Sequence, residues 1–484
     1  MTERSPFVVV ANRLPVDAEE TAEGREWRRS PGGLVSALHP VLASHRGTWV
    51  GWTGGVSAAA DEVPEVPEEV DGIRLVPVPL TAIEIEEFYE GHCNSTIWPL
   101  YHDAVEQPRF RRRWREAYRR VNARFAAAAA EAAAPGATVW VHDYQLQLVP
   151  GMLRASRPDL RIGFFLHVPF PPMELFMQIP MRTEILRGLL GADLIGFQQP
   201  LAVQNFMRLA RHLLGLRTRG ELLETEGRTV RAGSFPISID VQSMEALVAE
   251  PATIERAKQI RADLGDPKTV MLGVDRLDYT KGIGQRLRAF RELLNDGKLT
   301  VPDTVMVQVA TPSRERVEHY QSLRVKVERE VGRINGDYSQ VGLPAVHYLH
   351  QSYSPQELAA LYRAADVMLV TPLRDGMNLV AKEYVAARGD NGGAVVLSEF
   401  AGAAYELRQA FLCNPHDVDA LKDAMVRAVE VDPADGTRRM AAMRRYLRSH
   451  DVNRWADTFL HALEEPRPIG VPAGSGAVAA DAQR

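Results

Sequence analysis

Short apolar runs alternate with longer stretches of helical periodicity along most of the chain. A first series of such runs lies at 7–11, 138–142, 162–166 and 194–197, and a second at 270–274, 304–309, 346–349, 367–370 and 394–397. Apolar runs without strict alternation are typical of strands that are buried on both faces. With helices between them, they predict an α/β protein built on parallel, doubly wound sheets.

The pattern also predicts how the chain divides. At 484 residues the chain is too long for a single hydrophobic core. The two series of strands meet at 234–240, a proline-containing segment that suits a linker. We therefore predict two Rossmann-like domains, 1–237 and 238–449, that face one central cleft. A helix at 450–464 is expected to return to the first domain, and the tail at 465–484, rich in Pro, Gly and Ala, to be disordered.

Composition narrows the class of protein. Hydrophobic residues make up 45% of the chain and charged residues 25%, as in globular proteins, and the net charge of −5 does not favour a nucleic-acid partner. No apolar run approaches the ~18 residues of a membrane span. The N-terminus lacks the apolar core of a signal peptide, and Cys93 and Cys413 suit a reduced pair, so we expect a cytoplasmic protein.

The most informative segment is the turn between the apolar run at 365–371 and a predicted helix at 379–387. It carries Asp375, Gly376 and Asn378. Ligands of open α/β sheets bind beyond the carboxyl ends of strands, and free N–H groups at a helix start attract anions such as a diphosphate. Asp375 would hold sugar hydroxyls, and Glu383, one turn into the helix, a ribose diol. An ordinary turn with a capping Asp is the alternative.

Cations that could meet a diphosphate follow other predicted strands. Arg276 and Lys281 lie on one loop after the run at 270–274, while Arg314 and Arg13 stand at two further strand ends. Arg suits bidentate oxyanion contacts, and Lys acts as a mobile point charge. The pair Gly32–Gly33 could bring backbone N–H groups close to a phosphate. Solvated charged loops and a plain turn are the alternatives.

Other chemistries find little support. The chain contains no G-x-G-x-x-G after a strand, no G-x-x-x-x-G-K-[ST] and no H-E-x-x-H motif. The one D-x-D sequence, Asp417–Asp419, suits a turn into a helix better than a metal–diphosphate site. We therefore expect neither a metal nor a cofactor.

Together these segments resemble the trehalose-6-phosphate synthases, retaining glycosyltransferases of the GT-B fold, from about Val8 to Trp455. The resemblance rests on these motifs: VANR at 10–13, SPGGL at 30–34, NSTIWPLYH at 94–102, VHDY at 141–144, GFFLHVPF at 163–170, DRLDYTKG at 275–282, ATPSR at 310–314, GRING at 332–336 and TPLRDGMNLVAKE at 371–383. It implies transfer of glucose from a nucleotide-glucose to glucose 6-phosphate, giving trehalose 6-phosphate, with no cofactor and in a homo-oligomer.

The resemblance also implies residue roles. Donor contacts would come from Gly32, Gly33, Arg276, Lys281, Tyr353, Asp375, Gly376, Met377, Asn378, Leu379, Val380 and Glu383. Acceptor contacts would come from Arg13, Tyr89, Trp98, Asp143 and Arg314, with Arg13 and Arg314 on the phosphate. The residues at the reacting centre would be Arg276, Lys281, His167 and Asp375. For Arg314, pairing with a neighbouring acid such as Glu315 or Glu318 is the plain alternative.

Several points stay open at this stage. Tyr353 falls where the family binds the base, in a segment that departs from the expected bacterial pattern, so uridine is the default and guanosine and adenosine are alternatives. Retention would follow from front-face attack in which the leaving diphosphate takes the acceptor's proton. The rival functions are those of a glucosylglycerol-phosphate synthase, a cyclitol pseudo-glycosyltransferase and a non-catalytic sugar-phosphate-binding subunit. The cleft is expected to close on its substrates through hinges near 236–240 and Trp455.

Overall fold

The computed structural model describes residues 4–21, 24–30, 35, 38, 42, 47–225, 227–314 and 317–465. Its strands are β1 (Ser5–Arg13), β2 (Val16–Thr21), β3 (Gly24–Arg29), β4 (Thr48–Trp52), β5 (Glu69–Val70), β6 (Ile73–Pro77), β7 (Ala133–His142), β8 (Arg161–Phe165), β9 (Leu194–Phe197), β10 (Arg217–Arg219), β11 (Leu222–Thr225), β12 (Arg228–Ser234), β13 (Thr269–Arg276), β14 (Thr304–Thr311), β15 (Val346–Leu349), β16 (Val367–Val370), β17 (Ala394–Ser398) and β18 (Phe411–Cys413).

Helices fill most of the chain between these strands. The α-helices of the described residues are Ala82–Glu84, Trp98–Tyr101, Arg112–Ala132, Val149–Ser156, Met173–Phe176, Arg182–Leu189, Pro200–Leu214, Val241–Ala249, Pro251–Asp263, Ile283–Asn295, Glu318–Tyr338, Pro355–Ala364, Leu379–Ala387, Val418–Val429, Pro433–Ser449 and Val452–Glu464. Single 3₁₀ turns lie at Tyr144–Leu146, Tyr279–Lys281 and Gly402–Tyr405. The segment Ile85–Ile97 is a π-helix, a form that often marks functional sites.

The first sheet belongs to the N-terminal half. Its order is β10-β11-β12-β9-β8-β7-β1-β4-β6-β5, and its central strands from β12 to β6 run parallel. Along β1, Phe7 and Val9 pack into one core cluster while Val8 and Val10 pack into another. Both faces of this strand are therefore covered, which is the physical reason for its unbroken apolar run.

The second sheet belongs to the C-terminal half and is parallel throughout, in the order β15-β14-β13-β16-β17-β18. All four residues of β16 are buried, as are all five of β17. The predicted runs of the second series coincide with β13 to β17, and the predicted doubly wound α/β architecture is confirmed.

The helix Val452–Glu464 packs against the first sheet, although it follows the second in sequence. Phe459 stacks on Trp140 with ring centroids 4.5 Å apart, and the Trp455 indole donates to the carbonyl of Phe235 at 3.1 Å. Glycine in β8 and β9 permits this approach, since a Cβ at Gly163 or Gly196 would lie within 3 Å of the Phe459 ring. The tail predicted to be disordered lies outside the described residues, apart from Glu465.

Candidate active site

The turn between β16 and the helix Leu379–Ala387 is held by Asn378. This residue has a left-handed φ of 78°, and its side-chain oxygen accepts a hydrogen bond from the Ala381 N–H at 3.1 Å. Asn378 is therefore the helix cap, and the alternative in which an Asp caps the helix is wrong. Its amide nitrogen donates to a carboxylate oxygen of Asp375 at 3.1 Å, which orients Asp375 beside the helix start.

Asp375 pairs with Lys281, which lies 94 positions earlier in the chain. The Lys281 ammonium donates to the Asp375 carboxylate at 2.6 Å, and both side chains are largely buried. Burial disfavours the charged carboxylate, but the Lys281 ammonium and the Asn378 amide hold the pKa of Asp375 below its ordinary value. The two residues therefore form a largely buried, charged pair beside the helix start.

The loop of Lys281 is fastened to the turn of Asp375. Gly282 has a φ of 67°, and a Cβ there would lie 2.0 Å from the carbonyl oxygen of Thr371, so only glycine permits this approach. The fully buried Arg286 donates to Asp275 at 2.8 Å and to Thr371 at 3.2 Å. Sequence reasoning missed Arg286, although a cation among the apolar positions that follow Gly282 was a usable signal.

Two guanidiniums of the C-terminal domain lie over an aromatic ring of the N-terminal domain. The guanidinium carbon of Arg276 is 5.4 Å from the Trp98 ring centroid, and that of Arg314 is 4.0 Å away. Trp98 is buried, and its indole N–H lacks a hydrogen-bond partner within the described residues. The Trp98 ring therefore joins the two domains through cation–π contacts.

The Arg314 side chain is almost fully buried among a carboxylate and two tyrosine hydroxyl groups. The residue adopts a φ of 51° and donates to the Asp278 carboxylate and the Tyr144 hydroxyl, both at 3.1 Å, and to the Tyr320 hydroxyl. Burial would raise the pKa of Asp278, yet Arg314 and two neighbouring cations lower it to about 2. Among the described residues the carboxylate partner of Arg314 is Asp278. Glu315 lies outside the described residues, and the Glu318 side chain is not described.

Arg13 occupies the opposite rim of the cleft. Its guanidinium pairs with Asp17 at 2.8 Å and lies over the Trp52 ring, 5.3 Å from the centroid. Trp52 in turn packs edge-on against Tyr89, with centroids 5.6 Å apart. Arg13 is about half exposed and has no direct contact with Arg314 in the described structure, so any shared phosphate would have to bridge the two residues.

Asp143 and His167 follow neighbouring strands of the first sheet. Asp143 has a φ of 74°, and its carboxylate accepts a hydrogen bond from the His167 N–H at 3.1 Å. Burial raises the pKa of Asp143 to about 6 and lowers that of His167 to about 3. A Cβ at Gly376 would lie 2.2 Å from the His167 carbonyl oxygen, so the Asp375 turn reaches across and touches the first domain.

Further predicted donor residues line the same turn or its helix. Glu383 accepts a hydrogen bond from the Tyr362 hydroxyl at 2.8 Å, and burial raises the pKa of its carboxyl group. Met377 is buried, while Leu379, Val380 and Tyr353 are partly buried against the main core cluster. Gly32 and Gly33 lie outside the described residues.

Three other predictions concern features outside the cleft. The Asp417 carboxylate accepts hydrogen bonds from the Asp419 and Ala420 N–H groups, so it caps a helix, and no group of metal-ligating residues occurs within the described part of the chain. Cys93 and Cys413 are both buried free thiols. No helix among the described residues has the length and apolarity needed to cross a membrane.

Two doubly wound sheets thus share one cleft, with cations and a helix N-terminus on one wall and aromatic and acidic groups on the other. This arrangement defines a glycosyltransferase of the GT-B class.

Comparison with known proteins gives the family. The model of glycosyltransferase family 20 matches residues 5–465. A trehalose-6-phosphate synthase of Mycolicibacterium smegmatis is 58% identical over 469 residues, covering 95% of this chain and 92% of the relative. The chain therefore belongs to glycosyltransferase family 20, as an enzyme of the trehalose-6-phosphate synthase type.

Solved structures agree with this assignment. The E. coli protein bound with UDP-2-fluoro glucose has a TM-score of 0.87 at 34% identity, covering 96% of this chain and 99% of that one. The UDP-forming synthase of Burkholderia xenovorans in complex with glucose-6-phosphate has a TM-score of 0.85 at 33% identity, covering 95% and 100%.

Proposed function

We propose that the protein transfers glucose from UDP-glucose to glucose 6-phosphate with retention, forming trehalose 6-phosphate and UDP. The observation that carries this proposal is the meeting of Lys281, Asp375, Arg276 and Arg314 of one domain with Trp98 of the other across a single cleft. A nucleotide-sugar and a sugar phosphate are the ligand classes that such cations, an N-terminal helix end and an amphipathic ring bind. The family membership and the ligands named for the two solved structures support the same pair.

The groups that would bind the donor are proposed from their positive charge, which matches the negative charge of a diphosphate. Arg276 and Lys281 would meet the diphosphate, together with the N–H groups that begin the helix Leu379–Ala387. The backbone N–H groups of Gly32 and Gly33, which lie outside the described residues, would add to these contacts. Asp375 holds the Lys281 ammonium at 2.6 Å, so this cation is already in place when the diphosphate arrives. Preorganised positive charge of this kind stabilises a departing phosphate without reorganisation at the moment of reaction.

The acceptor side rests on Arg314, Trp98, Tyr89, Asp143 and Arg13. Arg314 would bind the acceptor phosphate from one domain and Arg13 from the other. A dianion bridging the two would favour closure of the cleft, because it draws one cation from each domain toward itself. Asp143 and the Trp98 indole N–H would contact sugar hydroxyls.

Retention is best explained by attack on the same face from which the diphosphate leaves. A double displacement needs a free carboxylate nucleophile at the anomeric carbon. The Asp375 carboxylate is engaged by the Lys281 ammonium and the Asn378 amide, and the Glu383 carboxyl group by the Tyr362 hydroxyl. Neither described carboxylate on this turn and helix is therefore a free nucleophile, and in front-face attack the leaving diphosphate would take the proton of the incoming hydroxyl.

The test is release of nucleoside diphosphate from UDP-, GDP- and ADP-glucose, each with glucose 6-phosphate, glycerol 3-phosphate and a phosphorylated cyclitol as acceptors. We expect turnover with glucose 6-phosphate and the fastest rate with UDP-glucose. A preference for glycerol phosphate or the cyclitol would select one of the rival synthases, and binding without turnover would select a non-catalytic subunit. A cytoplasmic location and a homo-oligomer stay predictions, the second testable by analytical ultracentrifugation.

A further inference from the structure

A second histidine lies directly behind His167. His142 ends β7 and His167 follows β8, the neighbouring strand. The Nδ1 atom of His142 and the Nε2 atom of His167 are 3.1 Å apart, a hydrogen-bond distance. The two rings are nearly parallel, at an interplanar angle of 27°, and His142 is fully buried next to the Trp140 ring.

Both imidazoles are neutral at ordinary pH. Burial lowers the pKa of His167 to about 3, and burial together with the His167 ring lowers the pKa of His142 well below its ordinary value. The polar and charged groups close to the pair include Asp143, which bonds the His167 backbone rather than its ring. A neutral imidazole carries one N–H and one acceptor nitrogen, so one ring must donate to the other.

The environment of His142 decides the direction of this hydrogen bond. Its Nε2 atom is buried and has no hydrogen-bond partner among the described residues. A proton on that atom would be a buried N–H without an acceptor, which is rarer and more costly than an unused acceptor lone pair. The proton of His142 therefore belongs on Nδ1, where it can donate to Nε2 of His167.

We infer that His142 is a positioning residue that holds His167 in the tautomer protonated at Nδ1. Nε2 of His167 then accepts the hydrogen bond from His142, and Nδ1, on the other side of the ring, carries the N–H donor. No described residue forms a hydrogen bond with this Nδ1 atom. A donor at this place suits a hydroxyl or ether oxygen of the transferred hexose. The identity of that ligand rests on the proposed function, whereas the tautomer does not.

This assignment has a chemical consequence for His167. A ring that is neutral, protonated at Nδ1 and accepting at Nε2 has no free lone pair for a substrate proton. His167 would therefore act as a hydrogen-bond donor that orients the sugar, and it would not serve as a general base.

The first test reads the tautomer in the unaltered full-length protein. Long-range ¹H–¹⁵N NMR of histidine-labelled protein distinguishes a protonated from an unprotonated ring nitrogen, and spectra of H167N and H142N assign the two rings. We expect His167 to be protonated at Nδ1 and bare at Nε2. A proton on Nε2 of His167 would overturn the inference, whatever the enzyme's substrate proves to be.

The second test uses a matched pair of variants. H142N keeps a donor near the position of Nδ1, whereas H142F fills the cavity without one. We expect H142F to lose about tenfold in kcat, the effect of one neutral hydrogen bond, and to show a mixture of His167 tautomers. H142N should stay within about threefold of wild type with the tautomer kept.

Equal loss in both variants, or an unchanged His167 tautomer in H142F, would show that His142 only fills space. If H142F does not fold, the spectrum of the unaltered protein decides alone. If no nucleotide-sugar is turned over at all, the proposed function fails while the tautomer measurement stands.

Discussion

Replacement of Arg314 by Ala should remove most of the preference for a phosphorylated acceptor. The Arg314 guanidinium donates one Nη1 proton to Asp278 and the other to Tyr320, and it donates one Nη2 proton to Tyr144. Its buried Nε–H has no partner among the described residues. The Nε–H and one N–H of Nη2 share an edge of the guanidinium, and such an edge binds an oxyanion in bidentate fashion when the Tyr144 hydroxyl takes the other Nη2 proton.

The magnitude follows from these two free donors. A hydrogen bond to a charged group contributes about 1.5–3 kcal/mol, so two such bonds, partly offset by desolvation of the phosphate, give about 3 kcal/mol. The ratio of kcat/KM for glucose 6-phosphate to that for glucose should therefore fall about 100-fold in R314A. The KM for UDP-glucose should change little, because Arg276 and Lys281 would carry the donor diphosphate.

The assay compares two acceptors within one variant, so any loss of folded enzyme cancels from the ratio. R314A also leaves the Asp278 carboxylate buried without its cation, which is strongly destabilising. The double variant D278N/R314A removes that charge and should recover part of the lost melting temperature without recovering the preference. If R314A keeps the wild-type ratio, Arg314 does not bind the acceptor phosphate.

Three further predictions concern the same cleft. K281A should lose roughly 3–5 kcal/mol of transition-state stabilisation, measured as a decrease in kcat/KM. The control K268A, which removes an exposed lysine paired with an acid, should match wild type. Activity of K281A within a few-fold of wild type would remove Lys281 from catalysis. Because burial raises the pKa of Asp143 to about 6, the stability that this group contributes is present below its unfolded pKa of about 3.9 and is lost as the pH rises through 6. D143N should therefore raise the melting temperature more at about pH 7.5 than at about pH 4, and an equal shift at both would contradict the burial argument. D103N breaks the cross-cleft ion pair with Arg374, in which the two charged atoms are 3.3 Å apart and the side chains are partly exposed. The loss of substrate affinity, measured as an increase in KM, should therefore be under about 1 kcal/mol and should vanish at high salt. A loss above tenfold would mean that this pair holds the cleft closed.

Apolar periodicity was sufficient to predict the architecture and the sheet edge at which the candidate residues meet. The predicted runs became β1, β7, β8, β9 and β13 to β17, because strands buried on both faces cannot alternate. The remaining strands escaped prediction. Strands β10 and β11 have three and four residues, β12 is a mostly polar strand of seven, and β18 has three, so pairing within the finished sheets decides their conformation.

The sequence motifs predicted which residues lie at the strand ends, but they did not predict which residues would form ion pairs with them. Motifs at strand ends nominated Lys281, Asp375 and Arg314, since the carboxyl ends of parallel strands meet at one edge. The pairing of Lys281 with Asp375 and of Arg314 with Asp278 joins segments that are far apart in the chain. Spacing along a sequence holds no information on which of several nearby acids a cation will reach.

What the sequence determined by itself is therefore local: the strand and helix alternation, the turn residues, and the chemical groups available at each strand end. Backbone sterics and the burial of apolar surface settle these features within short segments. The tertiary structure alone decided that Trp98 lies under two guanidiniums, that His142 sits behind His167, and that Gly376 touches the opposite domain. These contacts depend on how two separately folded sheets dock, and docking is governed by the shape of whole surfaces rather than by any one segment.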